Sequence, residues 1–149
     1  MTALAFKQLN NGWNAEPNAP APSITISGQD VLLRFQLNAF QYPRFSENDA
    51  GVIRFISCSR YRLGETNDEG WHLGQCRYSS LAPDWGEFYE LIGSDSLADL
   101  PRDWVRLRNA SVNRHFLFYF RDETFECFAF DWRIEPVAAN ALSRVYSQA

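Results

Sequence analysis

The sequence predicts a mainly β protein, built as a single antiparallel β-sandwich or curled barrel of about seven or eight strands with one amphipathic helix at the C-terminus. Two observations predict this fold class. Short segments rich in β-branched and aromatic residues recur along the chain, with turn-forming residues between them. The densest segment, Arg114 to Trp132, has eight aromatic residues in nineteen and indicates two strands around a polar turn at Asp122-Glu123.

The first 22 residues predict an extended, proline-rich lead-in. Pro17, Pro20 and Pro22 disfavour both helix and strand pairing, because proline lacks a backbone N–H and fixes φ. Trp13 lies just before them, and we expect it to anchor this segment on the domain. The β domain then spans residues 23–135 and a helix spans 136–147, so that residues 1–149 form a single domain.

Strand signals follow one another along the β domain. Ahead of the hairpin they are Ser23–Ser27, Asp30–Leu37, Gly51–Leu63, Trp71–Ser79, Glu87–Ile92 and Trp104–Leu107. The most regular alternation places Val31, Leu33, Phe35 and Leu37 on one side of the second strand. The segment Ser94–Leu100 predicts one short helical turn before Pro101.

The faces of the aromatic hairpin follow from its predicted register, in which the turn pairs Arg121 with Thr124. The first face is almost wholly apolar and ends in a predicted ion pair between Arg114 and Asp131. Its apolar members are Phe116, Phe118, Phe120, Phe125, Cys127 and Ala129. The second face is amphipathic and carries His115, Leu117, Tyr119, Glu126, Phe128 and Phe130.

We expect the second face of the hairpin to be covered, because strands with one face exposed to solvent would show a more regular alternation of apolar and polar residues. Another element of the same chain is favoured over a ligand or partner, since large exposed apolar patches are uncommon on soluble monomers. The predicted C-terminal helix is the nearest such element. Pro136 suits its first position, and its apolar stripe is formed by Val137, Ala141, Leu142, Val145 and Tyr146.

One candidate site combines a carboxylate with aromatic rings, as sugar recognition and glycoside chemistry require. One face of the strand after Asp84 carries Trp85, Glu87 and Tyr89. Glu87 is the best candidate carboxylate, with the two rings as its platform. Glutamate and aromatic residues also alternate on ordinary half-exposed strands, so a structural role is favoured over a functional one.

A second candidate site is a row of arginines. One face of the predicted strand Gly51–Leu63 carries Arg54, Arg60 and Arg62. Such a row can bind a carboxylate or a phosphate. A structural role, in which the arginines form ion pairs with carboxylates on the sheet face, is favoured over anion binding, because the chain has 18 acidic residues.

No other pattern points to chemistry. The two histidines and three cysteines lack the local pairs typical of metal sites, and no glycine-rich phosphate loop occurs. No cysteine lies at a helix start or glycine-rich turn that would favour a thiolate. We expect no catalytic residue, no metal and no cofactor.

The composition limits the partners and the compartment. A net charge of −4 and a pI near 5.1 argue against nucleic-acid and membrane partners. No apolar run approaches the roughly 18 residues that span a bilayer, and the opening residues do not resemble a signal peptide. The three cysteines are far apart, as in reduced proteins. We expect a cytoplasmic protein.

These observations favour a binding function. The leading hypothesis is a protein–protein interaction module, because aromatic residues and arginine dominate interfaces, and Tyr119 and Phe128 join the candidate contacts. A small-ligand carrier with an aromatic pocket and arginine anion contacts stays open as an alternative. So does a carbohydrate-active enzyme using Glu87. A protein partner is favoured over a small molecule.

The face assignment predicts that Phe118→Ala destabilises the protein by about 3–5 kcal/mol, because a buried aromatic ring leaves a cavity when it is truncated. Urea unfolding of the wild type and the variant measures this difference. A loss below about 1 kcal/mol would mean that Phe118 does not face the core.

Overall fold

The computed structural model describes residues 5–65, 86–93, 102–108, 113–120 and 123–137. These residues contain ten strands. They are β1 (Ala5–Gln8), β2 (Ser23–Ser27), β3 (Asp30–Gln36), β4 (Ala50–Ile56), β5 (Arg60–Glu65), β6 (Phe88–Ile92), β7 (Val105–Arg106), β8 (Arg114–Tyr119), β9 (Glu123–Ala129) and β10 (Asp131–Val137). The strands form a six-stranded sheet in the order β1-β6-β8-β9-β5-β7 and a four-stranded sheet in the order β10-β4-β3-β2.

The two sheets are antiparallel and pack against each other through aromatic side chains, and the described strands do not close into a barrel. Phe35 of β3 contacts Phe118 of β8 with ring centroids 5.0 Å apart, and Phe88 of β6 lies 5.1 Å from Trp132 of β10. The mainly β prediction is confirmed. The layer between the sheets combines these aromatic rings with aliphatic side chains such as Val31, Leu33 and Ile53.

The hairpin β8–β9 keeps its predicted faces with a different register. Phe118 lies opposite Phe125, two residues from the predicted pairing, and Phe120 N–H donates to the Glu123 carbonyl at 2.8 Å to close the hairpin. A shift of two residues moves no side chain to the other face, because side chains alternate with a period of two. The predicted apolar face is therefore the core face, as the burial of Phe116, Phe118 and Phe125 confirms.

The predicted ion pair of Arg114 with Asp131 is also confirmed, at 2.8 Å. Arg114 additionally binds both carboxylate oxygens of Glu90, at 2.9 and 2.8 Å. The hydrogen bond to Glu90 raises the pKa of the Arg114 guanidinium. This arginine thus joins β8 to β6 and to the first residue of β10, which belongs to the other sheet.

The single strand predicted over Gly51–Leu63 is wrong. β4 ends at Ile56, and the chain crosses to the other sheet through Ser57, which has a φ of +50°. Asp30 holds this crossing by accepting a hydrogen bond from Ser57 N–H at 3.0 Å. Positive φ is uncommon for residues other than glycine, and the sequence pattern gives no sign of it.

The predicted arginine row is wrong for the same reason. Arg54 lies on β4 and points away from the core on the outer face of the four-stranded sheet, where it pairs with Asp30 at 2.9 Å. Arg60 and Arg62 lie on β5, on the outer face of the six-stranded sheet, because Tyr61 faces the core. The row is therefore divided between opposite outer faces.

The predicted helix does not begin at Pro136. Pro136 and Val137 belong to β10, where they lie opposite Gly51 and Ala50. The rest of the predicted helix, residues 138–147, lies outside the described residues, as do the strand predicted over 71–79 and the helical turn predicted over 94–100. No helix long and apolar enough to cross a membrane occurs in the described ranges.

The segment before β2 contacts both sheets. β1 pairs with β6, although the sequence of the predicted lead-in does not indicate a strand. Trp13 is buried in the core with its ring 5.8 Å from Phe35, so its predicted role as an anchor is confirmed. Ala15 forms a bridge with Leu37, beside the end of β3. This segment therefore connects β6 of the six-stranded sheet with the end of β3 in the four-stranded sheet.

Asp30 provides a test of the crossing from β4 to β5 at Ser57. The hydrogen bond from Ser57 N–H lowers the pKa of the Asp30 carboxyl, with a further contribution from Arg54 and against the opposing effect of burial. Because the folded pKa lies below the unfolded value of about 3.9, this stabilisation is present above that pH and is lost as the pH falls through the folded pKa.

We therefore expect Asp30→Asn to lower the free energy of unfolding at neutral pH by about 1 kcal/mol or less, with a smaller difference below about pH 4. Urea unfolding across this pH range measures the effect. Glu135→Gln is the control, because Glu135 is exposed and its ion pair with Arg133 is long, at 3.7 Å. A difference for Asp30→Asn that stays constant with pH would contradict the account.

Candidate functional site

The outer face of the six-stranded sheet brings several predicted site residues together. Cross-strand pairing places Arg60 of β5 opposite Phe128 of β9, and Arg62 of β5 opposite Glu126 of β9. Arg106 of β7 lies opposite Arg60 on the other side. Three of the predicted contacts, Arg60, Arg62 and Phe128, are therefore neighbours. This arrangement follows from strand alternation once β5 lies beside β9.

The guanidinium of Arg60 stacks between two aromatic rings. Its central carbon lies 4.4 Å from the ring centroid of Trp104 and 4.2 Å from that of Phe128. Phe128 also stacks on the imidazole of His115, with centroids 4.3 Å apart and an interplanar angle of 19°. We call Arg60, Trp104, Arg106 and Phe128 the arginine–aromatic patch. Stacking limits the orientations of Arg60, so its guanidinium is held in place before any partner binds.

A buried polar network lies beside this patch. Glu126 has a side chain only 2% exposed, and its two oxygens contact Arg62 at 3.1 Å and His115 Nε2 at 2.9 Å. Arg62 also binds Asp103 through two hydrogen bonds, at 2.7 and 3.2 Å. A buried carboxylate is costly without such partners. The network thus extends from a buried histidine to Asp103, whose side chain is 51% exposed.

The charge of Arg62 is secured by its carboxylate neighbours. Burial alone lowers the pKa of its guanidinium, but hydrogen bonds and charge interactions with Asp103 and Glu126 outweigh burial, and the net pKa is raised. Arg62 is therefore a fixed cation engaged by two carboxylates, and its role in this face is to keep Glu126 and Asp103 in place.

Glycine at position 64 makes room for this network. A Cβ built on Gly64 would lie 2.9 Å from Cζ of Arg62 and 3.0 Å from Oδ2 of Asp103. Gly64 pairs with Thr124 on β9, and the buried Thr124 hydroxyl has no hydrogen-bond partner among the described residues. The side chain of Arg62 thus lies over residue 64, and any residue larger than glycine at that position would displace the Arg62 guanidinium.

The other predicted candidates lie away from this cluster or beneath the surface. Tyr119 is on the same outer face but is 1% exposed, and Arg54 is on the opposite outer face of the molecule. Tyr89 is fully buried and packs edge-to-face against Phe6 at 5.5 Å. Trp85 lies outside the described residues. Tyr89 therefore offers no exposed ring beside Glu87.

Glu87 is surrounded by side-chain amides. Its Oε1 accepts a hydrogen bond from Asn14 Nδ2 at 2.9 Å, and its Oε2 accepts from Asn10 Nδ2 and, at 3.4 Å, from Gln8 Nε2. Asn10 Oδ1 in turn accepts from the Phe88 backbone N–H at 3.1 Å. These contacts fasten the segment before β2 to β6, which is a structural role for the carboxylate.

Sequence reasoning missed Trp104, Asp103 and Arg106, and it placed His115 and Glu126 without assigning them a role. One signal was available. A histidine and a glutamate on a hairpin face that is expected to be covered need polar partners. An arginine on a neighbouring strand is the natural partner, but the assumed single strand over Gly51–Leu63 concealed which arginine it would be.

The outer face offers no obvious metal or nucleophilic chemistry. No group of three or more His, Cys, Asp or Glu side chains able to hold a metal ion occurs among the residues described. Cys127 points into the core, opposite to His115, and burial raises the pKa of its thiol well above the usual value, with a hydrogen bond to Cys58 adding to the effect. This thiol is therefore protonated at neutral pH.

Comparison of the chain with protein-family models, with curated proteins and with solved structures finds no match.

We expect Gly64→Ala to destabilise the protein by about 1–3 kcal/mol, because the added methyl group collides with Arg62 and disturbs its ion pairs with Glu126 and Asp103. The control is the same substitution in an Arg62→Ala background, where the obstacle is gone and the change should stay within about 0.5 kcal/mol. Urea unfolding of the four proteins completes a double-mutant cycle. Equal effects of Gly64→Ala in both backgrounds would exclude the collision with Arg62.

Proposed function

We propose that the protein is a protein–protein interaction module that acts in the cytoplasm and contacts its partner through the arginine–aromatic patch. The observation that carries this proposal is the stacking of Arg60 between Trp104 and Phe128. Tryptophan and arginine are the residues that most often dominate the binding energy of interfaces. A guanidinium that is already ordered loses little further freedom on binding.

The exposure of the patch supports a contact with another macromolecule. Trp104 and Phe128 are half-buried, while Arg106 is exposed. Rings that are partly covered are held rigidly by the sheet, yet still present surface that a partner can cover. The buried network of Arg62, Glu126 and His115 lies beside the patch on the same face.

The two alternative functions have less support. A small-ligand carrier would use Arg54, Arg60 and Arg62 together, and these arginines lie on two different outer faces. A carbohydrate-active enzyme would use Glu87 with exposed rings. Glu87 is instead bonded to amides of the segment before β2, and Tyr89 is buried.

Site-specific photo-crosslinking tests the proposal. A benzoylphenylalanine replaces Val105, which lies on β7 between the patch residues Trp104 and Arg106, and the variant is expressed in the native host cells and irradiated. We expect a discrete cross-linked adduct with a protein, which mass spectrometry identifies, because this position is adjacent to two residues of the contact surface.

The matched control carries benzoylphenylalanine at Thr25, an exposed position on β2 in the other sheet. We expect no discrete adduct from it. The absence of an adduct at Val105, or the same adducts at both positions, would contradict a specific contact at the patch.

A further inference from the structure

On the basis of the proposed function, we propose that the partner presents an extended, carboxylate-rich segment that adds as a strand to the edge of β7 that the other described strands leave unpaired. Its backbone pairs with that of Arg106, and its acidic side chains bind the guanidinium groups of Arg102 and Arg106. The charges, the backbone geometry and the side-chain alternation around β7 each support this chemistry.

The β7 edge is locally basic in a chain whose net charge is −4. Arg102 and Arg106 are both exposed, and within the described ranges neither forms an ion pair or a side-chain hydrogen bond. Asp103, the carboxylate between them in sequence, is bound by Arg62 through both oxygens. The cationic charge of this edge therefore faces solvent and matches an acidic partner.

The chemistry of arginine suits this role. Arg106 lies directly opposite Arg60, so its side chain projects from the same face of the sheet as the patch. Its planar guanidinium can bind a carboxylate through two hydrogen bonds.

The backbone of β7 is oriented for strand addition. Leu107 N–H donates to the Ser59 carbonyl at 2.7 Å, which makes these two residues a hydrogen-bonded pair. Bonded and non-bonded pairs alternate along antiparallel strands, so Arg106 occupies a non-bonded position opposite Arg60. Its N–H and C=O therefore point away from β5. β7 is the last strand on that side of the described sheet, and these groups are available to a further strand.

Side-chain alternation at the edge indicates the pattern of the partner segment. Arg106 projects to the outer face together with Arg60, whereas Val105 lies opposite Tyr61 and projects to the other side. A strand beside β7 would thus place acidic residues next to Arg106 and apolar residues next to Val105. Alternating acidic and β-branched residues satisfy both sides.

A polypeptide is favoured over a nucleic acid as the occupant. Arginine and aromatic rings can also bind single-stranded nucleic acid through phosphates and base stacking. The overall negative charge of the protein disfavours that partner. Nucleic acid also lacks a peptide backbone, so it cannot pair with the outward N–H and C=O of Arg106 as an added β-strand does. The test includes this outcome.

The experiment measures fluorescence anisotropy of labelled octapeptides with purified full-length protein. The probe alternates glutamate with valine, and the comparison peptide replaces each glutamate by glutamine. We expect saturable binding of the acidic peptide that weakens with added salt, and at least about tenfold weaker binding of the glutamine peptide.

Protein variants locate the site. We expect Arg106→Glu to weaken binding of the acidic peptide by about tenfold or more, and Arg133→Glu to leave it unchanged. Arg133 is the matched control because it is also an exposed arginine on an edge strand, but of the other sheet. Circular dichroism of each variant verifies that the fold is intact.

Backbone methylation separates strand addition from simple charge attraction. Two further peptides carry N-methyl groups on alternate residues, one on the odd and one on the even positions. Only one edge of an added strand faces β7, so one peptide should lose binding and the other should retain it.

Three results would overturn the inference: no binding of the acidic peptide, equal binding of both methylated peptides, or a single-stranded oligothymidylate that binds as tightly and depends equally on Arg106. An adduct at Val105 in the crosslinking experiment, combined with any of these results, would leave the proposed function standing and reject the acidic strand alone. Absence of that adduct would reject the proposed function itself.

Discussion

Phe118 contacts Phe35 across the two sheets at 5.0 Å and stacks on its own neighbours Phe88 and Phe120 at 5.5 and 4.2 Å. These contacts make the hairpin β8–β9 the centre of the aromatic layer. The hairpin is also the middle of the six-stranded sheet, with β6 on one side and β5 on the other. Every other strand of that sheet is positioned by a hairpin that is buried on both of its faces.

Burial of the outer face imposes the second constraint. Glu126 lies in the middle of that face and must have polar partners there. Arg62 meets this need from β5, which in turn requires the small residue at Gly64 and the carboxylate of Asp103. Asp103 is followed directly by Trp104, the ring that covers Arg60. The arginine–aromatic patch is therefore a consequence of how one buried carboxylate is neutralised.

Much of the fold could be predicted from periodicity. The alternation in β3 and the two faces of the hairpin depend only on which side chains face inward and which face outward. The predicted register of the hairpin was wrong by two residues, and its face assignment was still correct because a shift of two keeps each side chain on the same face. The crossing at Ser57 could not be predicted, because it depends on a hydrogen bond to Asp30 and on a positive φ. That single break decided which arginines became neighbours.

The candidate site was less predictable for the same reason. Arg60, Arg62 and Phe128 had been singled out by residue type, but they are neighbours only because β5 pairs with β9. That pairing is a long-range tertiary contact that the sequence pattern does not reveal. Trp104 had only a place in a short predicted strand. Glu87 shows the opposite case. The aromatic residues near it in sequence suggested sugar chemistry, whereas its hydrogen bonds to Asn10 and Asn14 attach the segment before β2 to β6.

That attachment has a consequence for the order in which the chain becomes structured during synthesis. Asn10 and Glu87 are 77 residues apart, so the ribosome releases the first long before it makes the second. Until β6 is complete, Trp13 has no finished aromatic layer to enter and β1 has no strand to pair with. The segment that carries Asn10 and Trp13 is thus made well before the strand to which it docks, and its apolar side chains stay exposed in the interval.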